Sequence, residues 1–137
     1  MKEFLKWRLY DLDLVDNWVY PTGKAVLLGD AVHPMLPYMS SGAAMACEDA
    51  AVLRKVLSTA TKDSLQTALQ KYQSLRQPRA SKVQKAGRVL QEAYHLPDGE
   101  AQRDRDIWIL KDDERNPIYW GHKARRQWLF GHDAEDF

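Results

Sequence analysis

One short stretch of the sequence sets an acidic side chain and a helix start where both can face one ligand. Asp30 follows Gly29 after an apolar run, and Ser41, Gly42 and Ala43 open a helical pattern. A carboxylate accepts hydrogen bonds from sugar-like hydroxyls, whereas the unpaired N–H groups of a first helical turn favour an anion or an electron-rich ring edge. These residue types predict a ligand with hydroxyls at one end and developing negative charge at the other.

Three elements must position these groups. The run Lys24–Leu28 has no polar alternation, which predicts a short strand buried on both faces, with a buried helical segment as the alternative. Prolines, among them Pro37, stiffen the loop that follows. Ser40 or Ser41 is expected to cap the helix, and Gly42 allows a ligand close to its first turn.

Each part has a simpler interpretation when it is judged alone. Asp30 is then more typical of a turn residue that bonds its own backbone. The Ser-Ser-Gly sequence is then typical of an ordinary capped helix that faces solvent. The succession of strand, Gly-Asp turn, rigid loop and helix start favours the ligand site.

The segment GDAVHPMLPYMSSGAAMACEDA resembles the second flavin-binding motif of the FAD-dependent aromatic hydroxylases, the salicylate-hydroxylase-like monooxygenases. Their pattern is approximately GDAxHPxxPxxxQGxxxAxEDA, and Ser41 stands where it has glutamine. Residues 72–80 resemble the segment that follows the flavin helix in this family, and residues 116–117 and 128–133 resemble the C-terminal end of its fungal members. The motif positions that agree are Gly29, Asp30, Ala31, His33, Pro34, Pro37, Gly42, Ala46, Glu48, Asp49 and Ala50.

The resemblance implies a flavoprotein of secondary metabolism with FAD as its cofactor. NAD(P)H would reduce the flavin, which would use dioxygen to hydroxylate an aromatic or polyketide-like small molecule. Asp30 would bind the ribityl chain, Pro37 would lie near the isoalloxazine, and the backbone around Gly42 would face the pyrimidine side of the ring. No catalytic or substrate-binding residue is implied. The cofactor-binding residues implied are Gly29, Asp30, Pro37, Ser41, Gly42 and Ala43.

The sequence contains no G-x-G-x-x-G fingerprint, the motif that seats the pyrophosphate in a Rossmann unit. The resemblance therefore covers the C-terminal portion of such an enzyme. The expected fold is mainly α with a short β element, a C-terminal fragment of the α/β FAD-binding monooxygenase fold whose Rossmann N-terminal part is missing. We expect weak or no FAD binding by this chain alone.

Composition fits a single unit over residues 1–137, with a net charge of +1 and 45% hydrophobic residues. These values predict neither nucleic-acid nor membrane binding. The one cysteine, Cys47, fits a reducing compartment and a cytoplasmic location, and a small buried side chain is expected there. The four histidines match no zinc motif, so no metal site is predicted.

Apolar spacing divides the chain into three parts. The strand-loop-helix flavin motif spans 24–50, a helical hairpin region spans 63–95, and a C-terminal helical tail spans 100–137. Asp63 or Ser64 can cap the second part, and Pro78 is expected at a first turn or a kink. The last helix, near Trp128, is expected to fold back on the core.

Charged residues after the motif favour structural roles. Glu48 and Asp49 point in different directions on a helix, so ion pairing is favoured over a shared proton. His33 is expected to contact the cofactor or to pin the loop. A solvated helix face is favoured over a phosphate-binding stripe for five cations at three-residue spacing, Arg76, Arg79, Lys82, Lys85 and Arg88.

Two hypotheses from different classes follow. In the first, the chain is part of a flavin monooxygenase and supplies Asp30 and the helix start to its FAD site. In the second, it is a separate small protein that uses the remaining pocket for non-redox binding or conversion of a small molecule. Exposed apolar surface would favour a homo-oligomer or an N-terminal partner chain in either case.

Overall fold

The computed structural model describes residues 3–137, and its architecture is mainly helical, as predicted. Four α-helices follow one another along the chain, and three single 3₁₀ turns lie between or before them. The α-helices are α1, Gly42–Leu57; α2, Leu65–Tyr94; α3, Glu100–Trp108; and α4, Lys123–Phe130. The 3₁₀ turns are Gly29–Ala31, Pro37–Met39 and Tyr119–Gly121.

The strand predicted over Lys24–Leu28 is wrong in both extent and burial. Within residues 3–137 the β structure is a single antiparallel bridge between Val19 and Val26. Leu27 and Leu28 remain 43% and 40% exposed. The run has the apolar composition of a strand with neighbours on both sides, but in the described residues it has a neighbour on one side only.

The helical hairpin predicted over 63–95 is also wrong, because α2 is one continuous helix of 30 residues with Pro78 inside it. A proline inside a helix costs about 3 kcal/mol or more. Buried residues on both sides of it, such as Tyr72 and Val83, are 0% exposed and hold the helix together. The hairpin is instead formed by α1 and α2. They run antiparallel, because Glu48 pairs with Arg79 whereas the far end of α1 lines a cavity with the start of α2.

Helix α2 contributes to two hydrophobic clusters, one at each side of the motif. Leu129 of α4 is buried in the first, which confirms that the last helix folds back on the core. The buried members of that cluster are Met39, Met45, Val83, Ala86, Leu90, Tyr119 and Leu129. Those of the second are Trp18, Val32, Val52, Val56, Tyr72 and Ala80.

Side-chain amides of α2 hold the segment before the motif along the helix. The Gln73 side chain accepts from Trp18 N at 2.9 Å and donates to Asp16 O at 2.7 Å. Gln84 Nε2 donates both to Leu12 O at 2.8 Å and to Pro34 O at 2.9 Å. Gln84 therefore ties the proline-containing loop to α2. No helix in the described part of the chain combines the length and apolar character needed to cross a membrane.

Candidate functional site

The centre of the motif is the carboxylate of Asp49, which is 0% exposed. Its Oδ2 accepts a hydrogen bond from Gly29 N at 2.9 Å and lies 2.6 Å from His33 Nε2. Its Oδ1 accepts from Arg76 Nε at 2.8 Å. An ionised carboxylate only accepts hydrogen bonds, so His33 Nε2 carries the proton in this pair. Asp49 thus connects α1, α2 and the residues around the Gly-Asp turn.

Glu48 extends this contact to α4. It accepts from Arg76 Nη1 at 2.6 Å, and Arg79 donates to both of its oxygens at 2.7 and 2.8 Å. The same Arg79 guanidinium donates to the carbonyl oxygens of Trp128 and Leu129 at 3.0 and 2.9 Å. We call His33, Glu48, Asp49, Arg76 and Arg79 the buried ion network.

This network corrects one prediction and confirms two. A solvated face is wrong for Arg76 and Arg79, which are 1% and 6% exposed, although Lys82 and Lys85 are exposed. Residues three apart share one helical face, and here that face meets the acid pair of α1, which spacing alone does not reveal. Structural ion pairing of Glu48 and Asp49 is confirmed. Pinning of the loop by His33 is confirmed as well.

Both acids of the network are charged near neutral pH. Burial raises the pKa of Asp49, but hydrogen bonds from His33, Arg76 and Gly29 N–H outweigh burial and hold the pKa below its ordinary 3.8. Burial likewise raises the pKa of Glu48, and Arg79 and Arg76 outweigh it, so this pKa lies below 4.5. Groups with such pKa values are structural anions and do not donate protons near neutrality.

The Gly-Asp turn presents its acidic side chain outward. Gly29 is buried and has φ +58°, a left-handed conformation that glycine adopts without strain. Val32 N and His33 N both donate to Gly29 O, at 3.1 and 3.0 Å, and close the turn. Asp30 is exposed, and its carboxylate has no hydrogen-bond partner among the described residues. The bond to its own backbone expected of an ordinary turn residue is therefore not made.

The start of α1 lacks the side-chain cap that the sequence predicts. Ser41 occupies the N-cap position, but its Oγ donates to Met39 O at 2.7 Å and makes no capping bond. Its backbone, at φ −115° and ψ 0°, departs from the extended conformation that aims a cap at the first turn. Ser40 is left-handed, with φ 48°. The N–H groups of the first turn therefore have no side-chain acceptor in the described residues.

Three of the six predicted cofactor residues are exposed. Gly29 and Ser41 are buried, Gly42 is half-buried, and Asp30, Pro37 and Ala43 are exposed. The main cavities lie at other positions; one of about 450 Å³ is lined by residues 17–21 and 25–27. Within residues 3–137, no cluster of three or more histidine, cysteine or acidic side chains could hold a metal ion.

The prediction that Cys47 is buried is wrong, because its thiol is exposed. It lies on the face of α1 that carries Ala43 and Ala50, both exposed, whereas Met45 and Asp49 face the interior. Helical periodicity places Cys47 four residues after Ala43, on the same stripe. The cysteine is surrounded by small side chains on a surface adjoining the helix start.

Comparison with known proteins identifies the family of this chain. Residues 16–86 match the family described as FAD binding domain. The chain belongs to this family. It is 48% identical to the 3-amino-4-hydroxybenzoate 2-monooxygenase of Streptomyces cremeus over 84% of this chain and 28% of that protein. It is 34% identical to the FAD-dependent monooxygenase OpS4 of Beauveria bassiana over 98% of this chain and 32% of that protein.

Solved structures give the same assignment. A salicylate hydroxylase in complex with its substrate aligns with a TM-score of 0.70 and 27% identity, over 93% of this chain and 29% of that one. The crystal structure of FqzB aligns with a TM-score of 0.74 and 30% identity, over 93% of this chain and 27% of that one. The present chain thus spans about a third or less of the length of the curated relatives it matches.

The sequence alone did not assign roles to the two arginines. Two features of the sequence could have indicated the ion pairs. An acid pair ends the motif, and two arginines lie three residues apart on a later helix. Their partners could not be chosen from the sequence, since nothing in the spacing of Arg76 and Arg79 says which helix they meet. The antiparallel packing of α1 and α2 makes that choice.

Proposed function

We propose that residues 29–43 form one wall of the FAD site of a flavin-dependent monooxygenase. The observation that carries the proposal is the exposed Asp30 carboxylate, which has no partner among the described residues although the turn beneath it is firmly held. Membership of the FAD binding domain family supports the choice of ligand. A ribityl hydroxyl is the kind of donor that such a carboxylate accepts.

The start of α1 suits the other end of the cofactor. Backbone N–H groups of its first turn, at Gly42 and Ala43, would donate to the pyrimidine side of the flavin and stabilise negative charge there. Pro37, exposed at the start of its 3₁₀ turn, would lie beside the ring. Bound FAD supplies electron transfer from NAD(P)H and activation of dioxygen; the residues of this chain bind and orient it.

The substrate class proposed is an aromatic or polyketide-like small molecule. The names of two similar proteins support this, since one acts on 3-amino-4-hydroxybenzoate and the other is a salicylate hydroxylase. The surface of this chain includes only part of any such site. We therefore propose that FAD binds the isolated chain weakly, because Asp30, Pro37 and Ala43 lie on an open surface.

Exposed apolar side chains favour a partner in addition to FAD. Leu27 and Leu28 are over a third exposed, and Phe4, Leu5 and Trp7 are more than 80% exposed. Contiguous apolar surface rarely stays uncovered in soluble proteins. A second copy or an N-terminal partner chain would cover it, and sedimentation analysis of the purified chain would detect the second copy as a larger mass.

The proposed cofactor site is tested by titrating FAD, up to millimolar concentration, into ¹⁵N-labelled protein. We expect the amide signals of residues 29–31 and 42–44 to shift. Asp30→Ala should weaken binding about tenfold or more, because it removes a hydrogen bond to a charged acceptor. Asp63→Ala, which removes an exposed carboxylate at the start of α2, serves as the control and should bind normally.

Two results would contradict this function. Shifts confined to other segments would place any flavin elsewhere, and equal affinity of Asp30→Ala and the unmodified chain would remove the role of the carboxylate. Full quenching of FAD fluorescence at micromolar protein would contradict the weak binding proposed for the isolated chain.

A further inference from the structure

We infer that Asp49 is a positioning residue whose buried carboxylate fixes the Gly29–Ala31 turn and thereby sets the direction of Asp30. This inference rests on the proposed flavin site and explains what holds that site in shape. Asp49 itself would not touch the cofactor, since its side chain is 0% exposed.

The carboxylate holds the turn at both ends. Oδ2 accepts from Gly29 N, at the first residue of the turn, and is 2.6 Å from Nε2 of His33, just beyond its last residue. Backbone bonds from Val32 N and His33 N to Gly29 O close the same loop. A single oxygen therefore holds Gly29, directly before Asp30, and His33, three residues after it.

A second contact fixes the orientation of the carboxylate. Arg76 Nε donates to Oδ1 at 2.8 Å, which leaves Oδ2 free for the turn. The same guanidinium is anchored by Glu48 at 2.6 Å. A buried charge persists only when it is paired and hydrogen-bonded. Asp49 and Arg76 meet this condition through the contacts just named, and Arg76 Nη2 also donates to Met45 O at 3.4 Å.

Helix α1 then sets the spacing of the whole site. It begins at Gly42, where the N–H groups proposed to face the flavin ring lie, and carries Asp49 two turns later. Because Asp49 holds the turn that presents Asp30, both contact points for the cofactor are fixed to one rigid helix. Ala46, between them, lies beside the turn, since a Cβ added at Gly29 would be 3.4 Å from the Ala46 Cβ.

The test compares two neighbouring, nearly isosteric changes. Asp49→Asn replaces an acceptor oxygen by a donor amide and disrupts the contacts to Gly29, His33 or Arg76. Glu48→Gln neutralises the adjacent acid, which binds the same buried arginine but makes no contact with the turn. Both variants weaken the buried ion network, but only Asp49→Asn removes contacts to the Gly29–Ala31 turn. An effect seen only in Asp49→Asn is therefore due to those contacts and not to general destabilisation.

The first readout is the Gly29 amide proton. We expect Asp49→Asn to speed its hydrogen exchange about tenfold or more beyond the change seen in the α2 amides. Glu48→Gln should alter Gly29 no more than it alters those amides. Equal effects of the two variants on Gly29, or an unchanged Gly29 in Asp49→Asn, would overturn the inference.

The second readout is FAD affinity from the amide-shift titration. Asp49→Asn should weaken binding about tenfold, and Glu48→Gln less than about twofold. An altered Gly29 amide with unchanged FAD affinity would overturn the claim that the turn directs Asp30 to its ligand. If the unmodified protein binds no FAD, the proposed function fails, while the Gly29 exchange rates still decide whether Asp49 holds the turn.

A measurement on the unmodified protein keeps the inference testable if Asp49→Asn does not fold. The Gly29 N–H and the His33 Nε2–H both bind Asp49 Oδ2, so their protons must lie close together. A nuclear Overhauser effect between these two protons is expected. Its absence, with both protons visible, would overturn the inference.

Discussion

The two sides of the proposed flavin site are built in opposite ways. Around the Gly29–Ala31 turn, Gly29, Val32 and His33 are held by hydrogen bonds to Asp49 or to Gly29 O. At the start of α1, the residue in the cap position turns its hydroxyl away, towards Met39 O. The acceptor side of the site is fixed before a ligand binds, and the donor side has no side-chain acceptor among residues 3–137.

This difference follows from what each side offers a ligand. A carboxylate on a loose turn would lose entropy on binding, and fixing the turn beforehand lowers that cost. Helix N–H groups need no such support, because the helix already orients them, but a side-chain cap would occupy them. Omitting the cap costs about 1 kcal/mol and keeps the groups accessible.

The largest loss of stability is expected when Arg76, the arginine that pairs with both Glu48 and Asp49, is replaced. Arg76→Met leaves Asp49 without its partner for Oδ1 and should lower the free energy of unfolding by about 3–5 kcal/mol. Lys85→Met, on an exposed position of the same helix, should change it by less than about 0.5 kcal/mol. Urea unfolding measures both changes. Similar losses in the two variants would show that burial of the ion network does not determine its contribution to stability.

Low pH should have the second-largest effect on stability, because it protonates the acids that hold the Gly29–Ala31 side of the site. The pKa values of Glu48 and Asp49 lie below 4.5 and 3.8 in the folded protein, so their contribution is complete above those values and is lost as pH falls through the lower folded pKa. Burial and then Arg79 also lower the pKa of His132 below 6.5, so its smaller contribution is lost first.

Urea unfolding at a series of pH values tests this order. The free energy of unfolding should fall slightly below about pH 6.5 and steeply below about 4.5, the ordinary values of these groups. His132→Gln should remove the first decline and keep the second. A stability that rises between pH 6 and 4 would contradict the assigned charges.

The smallest effects on stability are expected from two glycine substitutions, one at the Gly29–Ala31 turn and one at the start of α1. They compare the two sides of the proposed flavin site most directly. Gly29→Ala forces an L side chain to φ +58° and should cost about 1–2 kcal/mol. Gly42→Ala meets only Met35 Cγ at 3.7 Å, so it should leave stability within about 0.5 kcal/mol but weaken FAD binding by crowding the helix start. Thermal unfolding and FAD titration measure the pair. If Gly42→Ala destabilises as much as Gly29→Ala, the contrast between the sides is wrong.

The motif was predictable because its parts are local. A turn at Gly29-Asp30 and a helix that begins after Ser41 follow from residue preferences within a few positions, although the predicted side-chain cap is not made. The exposure of Lys24–Leu28 was not predictable, since the burial of a strand depends on which neighbouring strands cover it. The continuity of α2 through Pro78 depends on packing at both of its ends, which no local preference for proline reveals.

The sequence by itself determined which groups are candidates for binding: an acid after a Gly turn, and a helix start, in a region that matches the FAD binding domain family. Only the tertiary structure decided how those groups are held. Arg76 and Arg79 became buried partners of Glu48 and Asp49 because α1 and α2 pack antiparallel. A charge stays buried only where opposite charge meets it in space, and residues far apart in the chain meet only when the helices pack.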